Sequence, residues 1–219
     1  MQTPTPPRFG PELTEAYAAA HIRKRFAAGS VLLEPRSRIR SFPIVVAGAV
    51  GVYRPAPESA LRGVPEGNGL LLYYLRPGET CAATLASCLG SPSTGVRIVV
   101  EVDAEVDFLP AEQVERWMAM FPEWRAFVLR SFHERFERVL ASLDSLAFRD
   151  LRSRTLDLLT ERTTLVGSRW VSVTHRELAS NLYSTRTVVS RVLKGLERDG
   201  ALRLHRGAVE VLASPQGAS

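Results

Sequence analysis

The chain has 219 residues, 45% of them hydrophobic and 23% charged, with a formal net charge of +5. That composition suits one large or two modest globular domains with a packed core. No apolar run approaches about twenty residues, which excludes a membrane-spanning helix. Two cysteines exclude a disulfide scaffold and the usual structural zinc site. The N-terminal MQTPTPPRFG has neither the basic region nor the apolar stretch of a secretory signal, so a cytoplasmic protein with no membrane partner is expected. The charge is unevenly spread. Residues 150–219 hold 11 basic and 7 acidic side chains, and residues 1–149 hold 17 and 16. The positive excess in the last third points to a polyanionic partner.

Residues 1–12 are proline-rich and polar and read as a disordered arm. Residues 13–27, LTEAYAAAHIRKRFA, carry helix formers and end before a glycine, which predicts a short helix. From Gly29 to Pro110 the pattern changes to short apolar runs split by Gly, Pro and Ser. The runs are Val31–Leu33, Ile44–Val52, Leu70–Leu75, Val96–Val102 and Val106–Leu109. Such spacing predicts many short strands in a jelly-roll-like β-roll, and residues 13–120 are assigned to that domain.

A helical period begins at Glu112 and is broken once, at Phe121-Pro122. Beyond the break, Trp124, Val128, Phe132, Phe136, Val139, Leu143 and Leu146 recur every three or four residues, close to a coiled-coil period. Phe127 and Leu140 widen the stripe. An apolar face this wide calls for two partners. One side can lie on the β-roll and the other on a second copy of the same helix, so residues 121–148 are expected to form a long dimerisation helix. Leu151–Thr164 predicts another amphipathic helix and opens the last domain, residues 149–219.

Thr174-His175-Arg176-Glu177 has the form of a capping box, Thr174 taking the Glu177 amide and Glu177 reaching back. A short helix follows, then the polar turn Tyr183-Ser184-Thr185, then a second helix to about Arg198. Val189, Val192, Leu193 and Leu196 share one face of that second helix. Arg186, Thr187, Ser190, Arg191 and Lys194 share the other, with no acid among them. Gly200 supplies the stop. Alternating runs on either side of His205-Arg206-Gly207 predict a hairpin. Two short helices, a tight turn, a cationic second helix and a hairpin make a winged helix-turn-helix. The major groove of DNA admits one helix, and arginines with small hydroxyls suit guanine edges and phosphates.

The stretch VTHRELASNLYSTRTVVSRVLKGLERDGALRLHRGAVEV resembles the DNA-binding domain of the Crp/Fnr regulators. Thr174, Glu177, Leu178, Ala179, Arg186, Val189, Ser190, Arg191, Leu193, Leu196 and Gly200 carry the likeness. Upstream, the order of β-roll with Arg76-Pro77-Gly78-Glu79, long helix and C-terminal domain is similar too. The resemblance spans about residues 20–212. It implies an α+β fold and a homodimeric bacterial transcription regulator that reads palindromic double-stranded DNA and works with RNA polymerase. Arg186 and Arg191 would be the principal DNA contacts, with Ser190 beside them. Lys194 and Arg206 would meet phosphate, and Thr174, which caps the first helix of the motif, and Thr187 are counted with them as DNA-binding residues. The chain departs from the family at Thr187, where a glutamate is usual, and at Tyr183, where the turn prefers glycine.

Gly78 and Glu79 fall where cyclic-AMP binders of that family hold the nucleotide. The Arg-Ser pair expected next is missing, and Arg97 lies two or three residues late, so cyclic AMP is not expected to bind. An N-terminal cysteine cluster for iron–sulfur chemistry is also missing. Cys81 and Cys88 lie near the cysteine position of haem-dependent members, without the neighbouring histidine. Packing of small side chains is the simplest role for both. No cofactor is expected, with haem or thiol chemistry at Cys81 and Cys88 as the alternative. His175 and His205 read as polar neighbours of the cap and the hairpin. No nucleophile–base, phosphate-loop or HExxH pattern suggests an enzyme. The competing reading is a small-molecule, haem or thiol-redox sensing module with weak or altered DNA binding.

Overall fold

A computed structural model describes residues 9–37, 39–55, 67–88 and 95–212. The chain divides into two compact units, Met1–Tyr53 with Leu72–Ala141, and Arg54–Leu71 with Ser142–Ser219. Among the described residues no helix is long and apolar enough to cross a membrane.

The first unit opens with helix α1 (Pro11–Ala20). Pro11 at the first helical position suits its fixed φ, because the missing amide has no helical partner there. Residues 1–8 of the expected arm lie outside the described residues. Its end is ordered. Phe9 packs against Trp124 and Phe127 with ring centroids 5.7 and 5.6 Å apart.

The helix expected over 13–27 ends at Ala20, and Ile22–Phe26 is strand β1. The reason is tertiary. β1 pairs antiparallel with β5 (Arg97–Pro110), from Ile22 opposite Phe108 to Phe26 opposite Ala104. Arg23 grips the buried Asp107 with two hydrogen bonds of 2.7 and 3.0 Å, and Arg25 reaches Glu105 at 2.7 Å. Local helix propensity is worth tenths of a kcal/mol per residue, so a paired strand overrides it.

Strands β2 (Val31–Leu33), β3 (Ser41–Arg54) and β4 (Leu70–Leu75) complete a five-stranded sheet. The path runs β1-β5-β3-β4, with β2 also on β5. The two runs read as separate strands at 96–102 and 106–109 are one strand, β5. The irregularity lies across from it, where the β3 register shifts between Val45 and Val50. Gly48 sits in that shift at φ +79°, and a Cβ there would lie 2.1 Å from the Asp103 carbonyl oxygen. Only glycine permits so close an approach.

Helix α2 (Ala82–Cys88) follows β4, and α3 (Ala111–Met120) and α4 (Pro122–Phe148) follow β5. Phe121-Pro122 separates the last two, as the sequence predicts. Trp117, Phe121, Trp124, Phe127 and Val128 join Leu13, Phe42, Ile44 and Leu109 in one apolar cluster. A second cluster, with Val45, Val52, Leu75, Ile98 and Val106, fills the sheet.

The second unit contains α5 (Leu151–Val166), β6 (Trp170–Ser172), α6 (His175–Asn181), α7 (Arg186–Arg198), β7 (Leu202–His205) and β8 (Ala208–Val211). Leu159, Leu178, Leu193 and Leu196 are buried at its centre. The expected hairpin is present as β7–β8. It gains a third strand that the sequence reading lacks, β6, in the order β6-β8-β7.

Candidate nucleic-acid interface

The motif around α6 and α7 is set by its caps. Thr174 accepts the Glu177 amide at 3.1 Å, and Thr185 accepts the Val188 amide at 3.3 Å. The reciprocal half of the expected capping box is not made. The Glu177 carboxylate instead takes a 2.6 Å hydrogen bond from Arg162 of α5, whose side chain is buried. A buried guanidinium without that carboxylate would be costly, so the ion pair prevails over the local bond. Tyr183 in the turn has φ +52°. The glycine-favouring geometry of the turn is therefore retained with a bulky residue in it.

Val189, Leu193 and Leu196 anchor α7, and Val192 is half-buried. Arg186, Thr187, Arg191 and Lys194 are exposed, and Ser190 is partly so. These five side chains together line an open hollow on the outer face of α7. Spacings of 1, 4, 5 and 8 residues from Arg186 keep them on one side of the helix. Beside them, His175 on α6 shares a 2.9 Å hydrogen bond with Ser190 through Nδ1. Burial, and then the charges of Arg186 and Lys194, hold this imidazole below the ordinary histidine pKa. A neutral ring at neutral pH fixes the Ser190 hydroxyl. The sequence reading saw His175 only as a cap neighbour, and the single available signal was its place at the start of α6. Arg206 is exposed at the β7–β8 turn, where Gly207 has φ +75°. His205 packs on Trp170 of β6 with ring centroids 4.4 Å apart.

The apolar stripe of α4 divides in two. Trp124 and Val128 are buried in the core of the first unit and are unavailable to a second chain, which corrects their assignment to a dimer face. Their depth of burial depends on α1 and β3, which helical spacing does not report. Val139 packs on the sheet cluster, and Leu146 is half-buried. Phe132, Phe136 and Leu143 are 47%, 51% and 55% exposed, and Leu129 and Leu140 are exposed with them. Five large apolar side chains on one helix face form an unusual solvent surface. Leu129 was missed because it falls between two stripe positions.

Glu79 does not present a free carboxylate. Arg135 of α4 donates two hydrogen bonds to it at 2.8 and 3.0 Å, and Arg138 donates two at 2.9 and 3.5 Å. The Arg76 amide adds another at 2.8 Å. Burial alone would push this carboxyl up. The Arg135 and Arg76 hydrogen bonds and both guanidinium charges outweigh burial and hold it below the ordinary value. Arg138 also donates to the Tyr74 carbonyl oxygen at 2.8 Å. Gly78, at φ +84°, lets its amide turn back to the Val45 carbonyl oxygen. Arg97 is on β5 and pairs with Glu34 at 2.8 Å. Cys81 is fully buried in the sheet cluster, with the Tyr73 hydroxyl 3.7 Å away. Cys88 lies at the edge of the other cluster. Burial pushes the Cys81 thiol up and pushes Cys88 to about 11. Both are protonated at neutral pH, which disfavours thiolate chemistry and metal ligation.

Residues 137–215 match the family model of the Crp-like helix-turn-helix domain. A search of curated protein sequences returns no match to the chain. Solved structures are similar over most of their length. A Crp/Fnr-family transcriptional regulator from Eubacterium rectale is 21% identical, with 95% of this chain and 93% of that one covered and a TM-score of 0.81. The c-di-GMP-responsive global regulator Clp of Xanthomonas campestris is 18% identical, with coverage of 93% and 99% and a TM-score of 0.76. A Crp/Fnr-family regulator from Thermus thermophilus is 21% identical, with coverage of 88% and 94% and a TM-score of 0.69. The chain carries a Crp-like helix-turn-helix DNA-binding domain at its C-terminus and, across nearly all its length, the fold of the Crp/Fnr transcriptional regulators.

Proposed function

We propose that the chain is a cytoplasmic, homodimeric transcription regulator that reads a palindromic DNA site through α7 and does no catalysis. The observation that carries this reading is the outer face of α7, with Arg186, Thr187, Ser190, Arg191 and Lys194 gathered over one hollow and no acid among them. The exposed half of the α4 stripe supports dimerisation. Two copies of α7 then address successive major-groove turns about 34 Å apart. RNA polymerase is the protein partner that this role requires.

Arg186 or Arg191 donates two parallel hydrogen bonds to guanine O6 and N7 in each half-site. Lys194 and Arg206 meet phosphates. Thr187 offers a hydroxyl and a methyl where a glutamate would accept from cytosine, so preference at that base pair is loose or shifts to thymine. Selection from randomised half-sites tests the assignment. Arg186→Ala and Arg191→Ala are each expected to weaken binding, one of them by about 1–3 kcal/mol per half-site with relaxed preference at one base pair. Lys194→Ala weakens all sequences alike and flattens the salt dependence. Wild-type consensus and affinity in both arginine variants would rule out α7 as the reading helix.

A further inference from the structure

Of the side chains over the α7 hollow, Arg186, Arg191 and Lys194 can only donate hydrogen bonds, so acceptors come from the Thr187 and Ser190 hydroxyls. A free hydroxyl rotates to suit either kind of base edge and discriminates little. The Ser190 hydroxyl is not free. It is bonded to Nδ1 of His175, 2.9 Å away, and among the described residues no other group bonds it. His175 is the first residue of α6, and the Thr174 cap fixes the turn on which it stands. The charged groups around the ring are cations. Arg186 and Lys194 of α7 act on it, and Arg176 of α6 and His205 of β7 share with it a hollow that no acid lines among the described residues. Burial and the two α7 cations keep the ring neutral at neutral pH. A neutral imidazole has one N–H and one bare nitrogen. The tautomer that turns its lone pair toward the α7 cations and its N–H away from them is favoured, because opposite partial charges then face each other. Nδ1 is therefore the acceptor, and Ser190 donates to it. The Ser190 oxygen then offers the groove only lone pairs. A proton on Nδ1 reverses the bond, and the hydroxyl hydrogen turns outward.

We infer that His175 is a positioning residue for base reading, which sets through its hydrogen bond to Ser190 whether that hydroxyl accepts from a base or donates to it. The inference rests on α7 being the reading helix and deepens that assignment. With the ring neutral, Ser190 accepts from an amino group, cytosine N4 or adenine N6. With the ring charged, Ser190 donates to guanine O6 or N7, or to thymine O4. The wrong base leaves two donors or two acceptors face to face, and one lost hydrogen bond of this kind is worth about tenfold in affinity. Burial, Arg186 and Lys194 work against the charged ring, and the phosphates of bound DNA work for it. The exchange is therefore expected between about pH 8 and about pH 6.

Selection from randomised half-sites with the full chain at about pH 8 and about pH 6 tests this. Ser190→Ala marks the base pair in question, which should lose its preference in that variant. In the wild type the preferred base there should change from cytosine or adenine to guanine or thymine as pH falls, by about tenfold in relative affinity. The pairs read by arginine should stay fixed. His175→Asn presents an amide oxygen near the place of Nδ1 and does not titrate, so it should keep the high-pH preference at both values. His175→Ala frees the hydroxyl and should flatten the preference at that pair at both values. An unchanged preference across pH in the wild type overturns the inference. So does uniform weakening for all sequences in the His175 variants, the pattern of a phosphate contact. Nitrogen NMR of the isotope-labelled free chain reads the ring without DNA, and a neutral ring protonated at Nδ1 also overturns it. Failure to select any sequence defeats the regulator reading itself, whereas a selected consensus that ignores pH defeats the His175 assignment alone.

Discussion

Replacing Glu79 by Gln isolates the ion cluster that ties α4 to the N-terminal sheet. Arg135 is 2% exposed and Glu79 19%, so the pair is shielded from water. Glutamine keeps the shape and can still accept one hydrogen bond. It removes the charge that neutralises Arg135, which would keep only the half-exposed Glu134, 3.2 Å away. Breaking a buried pair from one side costs about 3–5 kcal/mol. The retained amide hydrogen bond and Glu134 bring the expected loss to about 2–3 kcal/mol. For a unit of this size that lowers Tm by roughly 6–12 °C. The sign of the pH dependence follows from the depressed carboxyl. Its folded pKa lies below its unfolded value, so the stabilisation is full above the ordinary glutamate range and is lost as pH falls through the folded value. Glu79→Gln does not titrate there. The stability difference between the two proteins should be flat from pH 7 to about 5 and shrink only below about pH 4. Urea unfolding followed by tryptophan fluorescence in a Trp170→Phe background reads the first unit, because Trp117 and Trp124 both lie in its core. A difference under about 0.5 kcal/mol at pH 7, or one unchanged through the acid range, would refute the reasoning.

Phe136→Asp or Leu143→Asp puts a charge into the exposed α4 stripe. Each should shift a micromolar sample from dimer to monomer in sedimentation velocity and weaken DNA binding, since two half-sites are no longer linked. Cyclic AMP should not bind in calorimetry and should leave DNA affinity unchanged, because Glu79 is held by two arginines and Arg97 by Glu34. His175 has a lowered pKa in the free protein, and bound phosphates favour its charged form. DNA binding should therefore take up a proton, so affinity should rise as pH falls from 8 to about 6. His175→Gln should reduce that slope in filter-binding assays across the same range. Tyr183→Gly should relieve the positive-φ turn and raise the stability of the second unit by about 0.5–1 kcal/mol in thermal unfolding.

Helix α7 was legible from residues alone because everything that shapes it is local. The Thr174 and Thr185 caps, the four- and three-residue spacing of Val189, Leu193 and Leu196, and the polar face opposite all lie within about twenty-five residues. Periodicity also placed α3 and α4 and the proline break between them. What the sequence could not settle are the cases where distant elements compete for the same residues. Ile22–Phe26 has helix-forming neighbours yet pairs with β5, because Asp107 and Glu105 lie opposite its arginines. Glu177 has a local cap partner yet turns to Arg162, a buried cation fifteen positions away. Trp124 and Phe136 occupy equivalent positions in one stripe, but α1 and β3 cover only the first. Glu79 reads as a free ligand-binding acid until α4 brings Arg135 and Arg138 onto it. Spacing along one element reports which residues share a face. Only the tertiary fold decides what that face meets, since desolvation and ion pairing depend on neighbours that local sequence does not contain.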